Sequence, residues 1–346
     1  LVEDEGLSPW SLWCAKEALS KAQVAADERF YARALKAQSL VYLAENELMK
    51  ARDSLIQSLV MFPTQTADEY AAYGSSAREL FDAAKPAFDA LPRGEVKAWL
   101  QPIVSAAHGA VVGFEALARW QHPRLGLLPP EAFLIEAQEA GLLCDLDLAV
   151  MVDACSQIGT WPSTLQGLAG RLSVNISAVS LAQSDLYARL EHSLEESGFP
   201  PNRLFLEITE TTLVEDLVSA YANIKAAERM GIQLAIDDFG TGYSSLSYLR
   251  RFPVGLLKID RSFVEGLGVE DEDEIIVETV IRMAASLGLE VVAEGVETQE
   301  QVDMLKAFGC HYFQGFLHGH PVVPAAGRLL YEASLKDLLG LDLLEA

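Results

Sequence analysis

A chain of 346 residues, half of them hydrophobic and 22% charged, has the composition of a folded protein long enough for one large domain and a smaller one. Its formal net charge of -24 excludes a Lys/Arg-rich face for duplex nucleic acid, and any phosphate-bearing ligand must rely on metal ions or a few placed cations. No apolar run approaches the ~20 residues that span a bilayer and no secretory leader is evident, so a cytoplasmic location is expected.

The first residue is Leu1 rather than Met, so a portion of a longer protein is expected. Cys14, Cys144, Cys155 and Cys310 form no C-x-x-C pair and read as reduced thiols.

Residues 1–93 are rich in Ala, Leu, Glu and Lys and predict helices almost throughout. Ser8-Pro9 opens the first, and others fit about Glu28–Leu43, Glu47–Met61 and Ala67–Leu91. Tyr42, Ala51 and Pro63 stand at the spacing of a tetratricopeptide-type helix pair. A generic helical bundle is the alternative. Either way the segment reads as a packing or partner-binding element.

Leu91-Pro92-Arg93-Gly94 punctuates the chain, and from Val96 short apolar runs alternate with helix-length stretches. Strands are expected at Ala98–Ile103, Val111–Leu117, Arg171–Ile176, Leu204–Ile208, Gln233–Ile236, Gly255–Ile259, Glu290–Ala293 and Tyr312–Gly315. Most are separated by stretches long enough for a crossover helix, which implies parallel pairing. The link between the first two is too short for a crossover and reads as a hairpin. About eight strands over ~235 residues fit an α/β TIM-type (β/α)8 barrel with an antiparallel strand at its start, and an open doubly wound sheet is the alternative. The domains expected are a helical segment 1–93, a barrel 95–335 and a tail 336–346.

Asp237-Asp238 follows an apolar strand and precedes Gly240 and Gly242. Two like charges at a half-buried strand end need a positive partner, and adjacent carboxylates suit a pair of hard divalent cations. An Asp-rich turn capping the next helix is the other reading. Further polar groups mark the other strands: Glu115, Asn175, Glu207 with Glu210, Lys258, Glu294 and Gln314. A barrel gathers its strand ends on one face, where five carboxylates repel unless metal ions neutralise them. The all-oxygen set favours Mg2+ or Mn2+ over zinc.

Glu115-Ala116-Leu117, Asp237-Asp238-Phe239-Gly240-Thr241-Gly242, Leu257-Lys258-Ile259-Asp260, Ala293-Glu294-Gly295-Val296-Glu297 and Phe313-Gln314-Gly315-Phe316 occur in this order. From about Glu95 to Leu330 the chain resembles the EAL family of bacterial cyclic-di-GMP phosphodiesterases. The resemblance implies hydrolysis of cyclic-di-GMP to linear pGpG with two ions, Mg2+ or Mn2+. It implies Glu115, Asn175, Glu207 and Asp237 as ligands of the first ion, with Asp237 and Asp238 bridging to the second. Lys258 would face the water and the transition-state charge, and Glu294 would be a base or second-ion ligand. Glu297 and Gln314 would contact the water or support the ligands, and Glu210 would anchor the loop after Asp238. Arg119 and Gln101 would meet phosphate and guanine. The loop Gly240–Arg250 resembles the family's dimerisation loop, so a homodimer is expected. A receptor that binds without hydrolysis, signalling through the N-terminal helices, is the alternative. No cyclase motif is visible.

Overall fold

A computed structural model describes residues 91, 93–123, 126–159, 161, 170–210, 212, 217–240 and 252–339. The helices and tetratricopeptide-type pair expected before residue 93 lie outside the described residues, apart from the turn at Leu91–Gly94, as do nearly all of the loop Gly240–Arg250 and residues 340–346. The chain divides into two compact units, Leu1–Val96 with Arg119–Leu142, and Lys97–Ala118 with Leu143–Ala346.

The strands are β1 (Val96–Ser105), β2 (Val111–His122), β3 (Gly126–Leu128), β4 (Arg171–Asn175), β5 (Leu204–Thr209), β6 (Gln233–Phe239), β7 (Val254–Ile259), β8 (Glu290–Ala293) and β9 (Tyr312–Phe313). Their order, β1-β9-β8-β7-β6-β5-β4-β2-β3, is closed by pairing of β1 with β2. Eight strands therefore form a barrel, with β3 appended to the end of β2. β2 and β4 to β9 run parallel, while β1 pairs antiparallel with β9. The antiparallel opening follows from the short Ala106–Ala110 link, tied by Ser105 N–H to the Ala110 carbonyl at 2.8 Å.

All eight expected strands are present, several with their ends shifted, and three of the shifts are informative. β2 runs on to His122 to pair with β3, a three-residue strand too short to carry a sequence period. β9 is only Tyr312–Phe313, because the Gln314 carbonyl turns to accept the Val296 N–H of the loop after β8 and the Gly315 carbonyl accepts the N–H groups of His318 and Gly319 in a turn of its own. β6 continues to Phe239, so the aspartate pair lies within the strand rather than beyond it.

Outside the strands, the described helices are α1 (Leu134–Glu139), α2 (Leu143–Ile158), α3 (Ala178–Leu181), α4 (Leu186–Ser197), α5 (Leu217–Met230), α6 (Arg261–Glu265), α7 (Asp271–Leu287), α8 (Gln299–Phe308) and α9 (Pro324–Leu339). The acidic run Glu270–Glu274 falls on the first turn of α7, where it complements the helix dipole, although the Glu270 side chain makes no cap bond. Among the described residues no helix is long and apolar enough to cross a membrane.

In the larger unit the strands are buried on both faces, as a barrel wrapped by helices requires; Leu172, Leu204, Leu257, Val291 and Val292 are wholly inaccessible. Inside the lower barrel, Ile103, Val112, Phe205, Ala235, Leu256 and Val292 form one apolar cluster under Tyr312. In the smaller unit, Trp120 packs edge-on against His122 and Phe133 and donates its indole N–H to Glu95 at 3.1 Å.

Candidate active site

The strand register decides which polar groups meet. Asn175 on β4 pairs with Glu207 on β5, and Thr209 two residues on pairs with Asp237 on β6. Residues two apart share a face, so Glu207 points into the barrel at the level where the strands end. Glu115, Glu207, Lys258 and Gln314 are all buried there.

Lys258 is the hub. Its ammonium lies 2.6 Å from Glu294 Oε1, 2.9 Å from Glu207 Oε2, 3.2 Å from Asp237 Oδ1 and 3.3 Å from Glu115 Oε2. Asp260, the alternative partner for a buried lysine at this point, instead caps α6 by accepting the Ser262 N–H at 3.0 Å. Glu115 also accepts Asn175 Nδ2 at 2.8 Å and Gln314 Nε2 at 2.6 Å. Gln314 in turn lies 3.2 Å from Gln101 Oε1, and Gln101 donates weakly to the Gly319 carbonyl at 3.4 Å.

Strict alternation would send Asp237 and Asp238 to opposite faces of β6. A register shift against β7 between Ile236 and Phe239, with Asp238 at φ 54°, breaks that alternation. Asp238 is the single non-glycine residue with positive φ among those described, a strain that is held where a side chain is being aimed. The result is that carboxylate oxygens of Asp237, Asp238 and Glu294 all lie within 4.8 Å of one another. Glu210 accepts the Gly240 N–H at 3.1 Å, tying the chain just beyond the aspartates to the end of β5.

One ammonium faces four carboxylates, with Asp238 alongside, so protons are held more tightly than usual. Burial, then the Glu115 charge, pushes the Glu207 carboxyl well above the ordinary range. Burial, opposed by Lys258 but reinforced by Asp237 and Glu115, raises Glu294 to about 8. Burial and the charges of Asp237 and Asp260 raise Asp238 to about 6. Glu115 goes the other way. Burial opposes its charge, yet Lys258 and the bonds from Gln314 and Asn175 together hold it below its usual value. Burial also works against the Lys258 charge, but Asp237, Glu115, Glu207 and Glu294 hold its pKa well up.

This arrangement fits divalent ions on the protein's own terms. Glu207 Oε1 and Gln314 Oε1 are buried with no hydrogen-bond partner, and Asp237 Oδ1 is met only by the Lys258 ammonium at 3.2 Å, although unmet buried oxygens carry a cost. A hard cation satisfies such oxygens and neutralises the excess charge at once. Beside the carboxylates lies a cavity of about 200 Å³, with Glu294, Glu297, Gln101, Gln314 and Phe316 in its wall. One glycine keeps that wall tight. A Cβ on Gly315 would sit 2.1 Å from the Val296 carbonyl oxygen, and Val296 N–H bonds Gln314 O at 3.1 Å, so the loops after β8 and β9 are laced together.

Among the expected residues, Glu297 is exposed and pairs with Arg261 at 3.3 Å rather than with Lys258. Arg119 is half-buried where β2 passes into the smaller unit. Arg261 was not singled out by sequence, although it directly follows the Leu257-Lys258-Ile259-Asp260 run. Gln301 was also legible: Thr298-x-x-Gln301 is a capping box, and the Gln301 side chain accepts the N–H groups of Glu297 and Thr298.

A family model described as "EAL domain" matches residues 85–321. The bifunctional diguanylate cyclase/cyclic di-GMP phosphodiesterase MucR of Pseudomonas aeruginosa is 39% identical over 235 residues, covering 67% of this chain and 34% of that protein. The chain thus spans about a third of the length of such curated relatives. Among solved structures, the PaMucR phosphodiesterase in complex with c-di-GMP is similar at 38% identity and TM-score 0.64, covering 68% of this chain and 96% of that one. The manganese/cy-diGMP complex of Klebsiella pneumoniae BlrP1 is similar at 34% identity and TM-score 0.59, covering 66% and 57%. With the closed barrel, the antiparallel opening strand and the Glu115-Ala116-Leu117 signature all in place, the chain belongs to the EAL domain family.

Proposed function

We propose that this chain hydrolyses cyclic-di-GMP to linear pGpG with two divalent ions, Mg2+ or Mn2+. The observation that carries this reading is the barrel mouth: four carboxylates on one buried ammonium with Asp238 beside them, and two orphaned oxygens on Glu207 and Gln314. Bound there, the ions supply Lewis-acid polarisation of a phosphoryl oxygen and an acidified water.

The chain's own residues do the rest. Glu115, Asn175, Glu207 and Asp237 hold the first ion, and Asp237 and Asp238 reach the second. Gln314 and Asn175 fix the Glu115 carboxylate from either side. Lys258, kept cationic by its four partners, faces the negative charge that builds on the phosphoryl group. Glu294 bridges Lys258 and the aspartate pair, and serves the second ion or the water's proton. Glu210 sets the backbone after Asp238, and Gln101 orients Gln314. Arg119 and Glu297 are assigned to the substrate.

The reading as a receptor that binds the nucleotide without cleaving it is the weaker one, because each of these groups is present. Around the barrel, we assign residues 1–93 to partner docking, expect a homodimer, and place the protein in the bacterial cytoplasm. Turnover with product chromatography tests the central reading. Linear pGpG should appear with Mg2+ or Mn2+, cease with chelator, and be absent for Glu115→Ala. Nucleotide binding without product in either metal would replace the enzyme by the receptor.

A further inference from the structure

Among the described residues Arg261 is the one cation in the wall of the cavity, which otherwise presents the carboxylates of Glu115, Glu294 and Glu297. Lys258 cannot serve an incoming anion at the rim, because it is buried and engaged by four carboxylates. A cyclic dinucleotide carries two phosphates. The metal ligands compensate the one that is cleaved, and the other brings its charge against an acidic wall.

Arg261 is held as if for that task. Its Nε donates to Glu265 and its Nη2 to Glu297 at 3.3 Å. Those contacts use two of the five guanidinium N–H groups, and the others have no protein partner among the described residues. The stem lies directly over Gly295, where a Cβ would fall 2.2 Å from Arg261 Cγ and the backbone has φ 68°. The turn after Glu294 is therefore shaped around this arginine. Glu297 is held in turn, because its N–H is fixed by the buried Gln301 at 2.8 Å.

We infer that Arg261 is a substrate-positioning cation whose guanidinium takes the non-scissile phosphate of cyclic-di-GMP, with Glu297 and Glu265 holding the fork in place. The inference rests on the phosphodiesterase reading and adds a residue to it. A guanidinium suits this role because its planar donors match two phosphate oxygens, which an ammonium cannot do. It also gives the exposed Glu297 a function that acts through Arg261.

The test measures KM and kcat for wild type, Arg261→Met, Arg261→Lys and Glu297→Gln, with equilibrium binding of cyclic-di-GMP in Ca2+ while product is monitored. Arg282→Met is the control, since it removes an exposed, ion-paired arginine on α7 outside the cavity. Loss of a ground-state phosphate contact should raise KM and Kd about 10- to 100-fold in Arg261→Met with kcat within about 3-fold. Arg261→Lys should recover part of that loss, and Glu297→Gln should shift KM less and add nothing on top of Arg261→Met. Arg282→Met should match wild type. If Arg261→Met does not fold, Arg261→Lys carries the test, because it keeps the stem and the charge and loses only the fork. KM and Kd unchanged in Arg261→Met (or, where it does not fold, in Arg261→Lys), in an enzyme whose wild type turns over, would overturn the assignment. A wild type that neither binds nor cleaves the dinucleotide would overturn the phosphodiesterase reading and this inference with it.

Discussion

The two ends of the barrel solve the same problem differently. At the N-terminal end, Arg171, Glu290 and Tyr312 close on one another: guanidinium to carboxylate at 2.5 Å, phenol to the same carboxylate at 2.6 Å. The guanidinium also lies 5.7 Å from the Phe205 ring and 5.3 Å from the Tyr312 ring. Each charge there has its counterpart, and the side chains are about one third exposed. At the C-terminal end, one ammonium faces four carboxylates with a fifth alongside, and buried oxygens go unmet. The balanced end is built for stability. The unbalanced end is built for a ligand that brings positive charge, as in other barrels whose chemistry sits where the strands finish.

Breaking the mouth should give the largest effect. Lys258→Met and Glu115→Ala should each lower turnover by about a thousand-fold or more, measured at saturating cyclic-di-GMP. Lys258→Met should also destabilise the metal-free protein by about 3–5 kcal/mol in denaturant melts, because it strands buried carboxylates. The laced loops come next. Gly315→Ala should cost about 3 kcal/mol, since the clash is with backbone and cannot be relieved by a rotamer change.

The balanced end should behave in the opposite way. Arg171→Met should leave kcat within about 2-fold while costing about 1–2 kcal/mol, a figure already reduced for its partial exposure. The smallest stability change sharpens the contrast most. Asp237→Asn removes one of the crowded charges, so it should abolish turnover yet raise the stability of the chelated protein by about 1 kcal/mol. Mn2+ should raise the melting temperature of wild type and leave that of Asp237→Asn unchanged.

Much of this was legible in the sequence because it depends on local pattern. Apolar runs at crossover spacing gave the strands, and the six-residue link from Ser105 to Ala110 gave the antiparallel opening. A barrel, once inferred, brings strand-end residues together whatever their separation in sequence, so the cluster of Glu115, Glu207, Asp237 and Glu294 followed. Three features did not follow. The turning of both Asp237 and Asp238 toward the mouth needs a register shift and a positive φ that no alternation rule contains. The choice of Glu115, Glu207, Asp237 and Glu294, not Asp260, as partners of Lys258 depends on contacts across four strands. The placing of Arg261 over Gly295 depends on the start of α6 meeting the loop after β8, and a glycine in Glu294-Gly295-Val296-Glu297 does not say which side chain fills its space.

The central claim is that the mouth is a charge-unbalanced cage for two divalent ions. Titration of Mn2+ into the chelator-treated protein, followed by electron paramagnetic resonance, tests it most directly. Two ions per chain in the presence of cyclic-di-GMP, reduced to at most one by Asp237→Asn, is the result expected. Full turnover in chelator, or unchanged stoichiometry in Asp237→Asn, would contradict it.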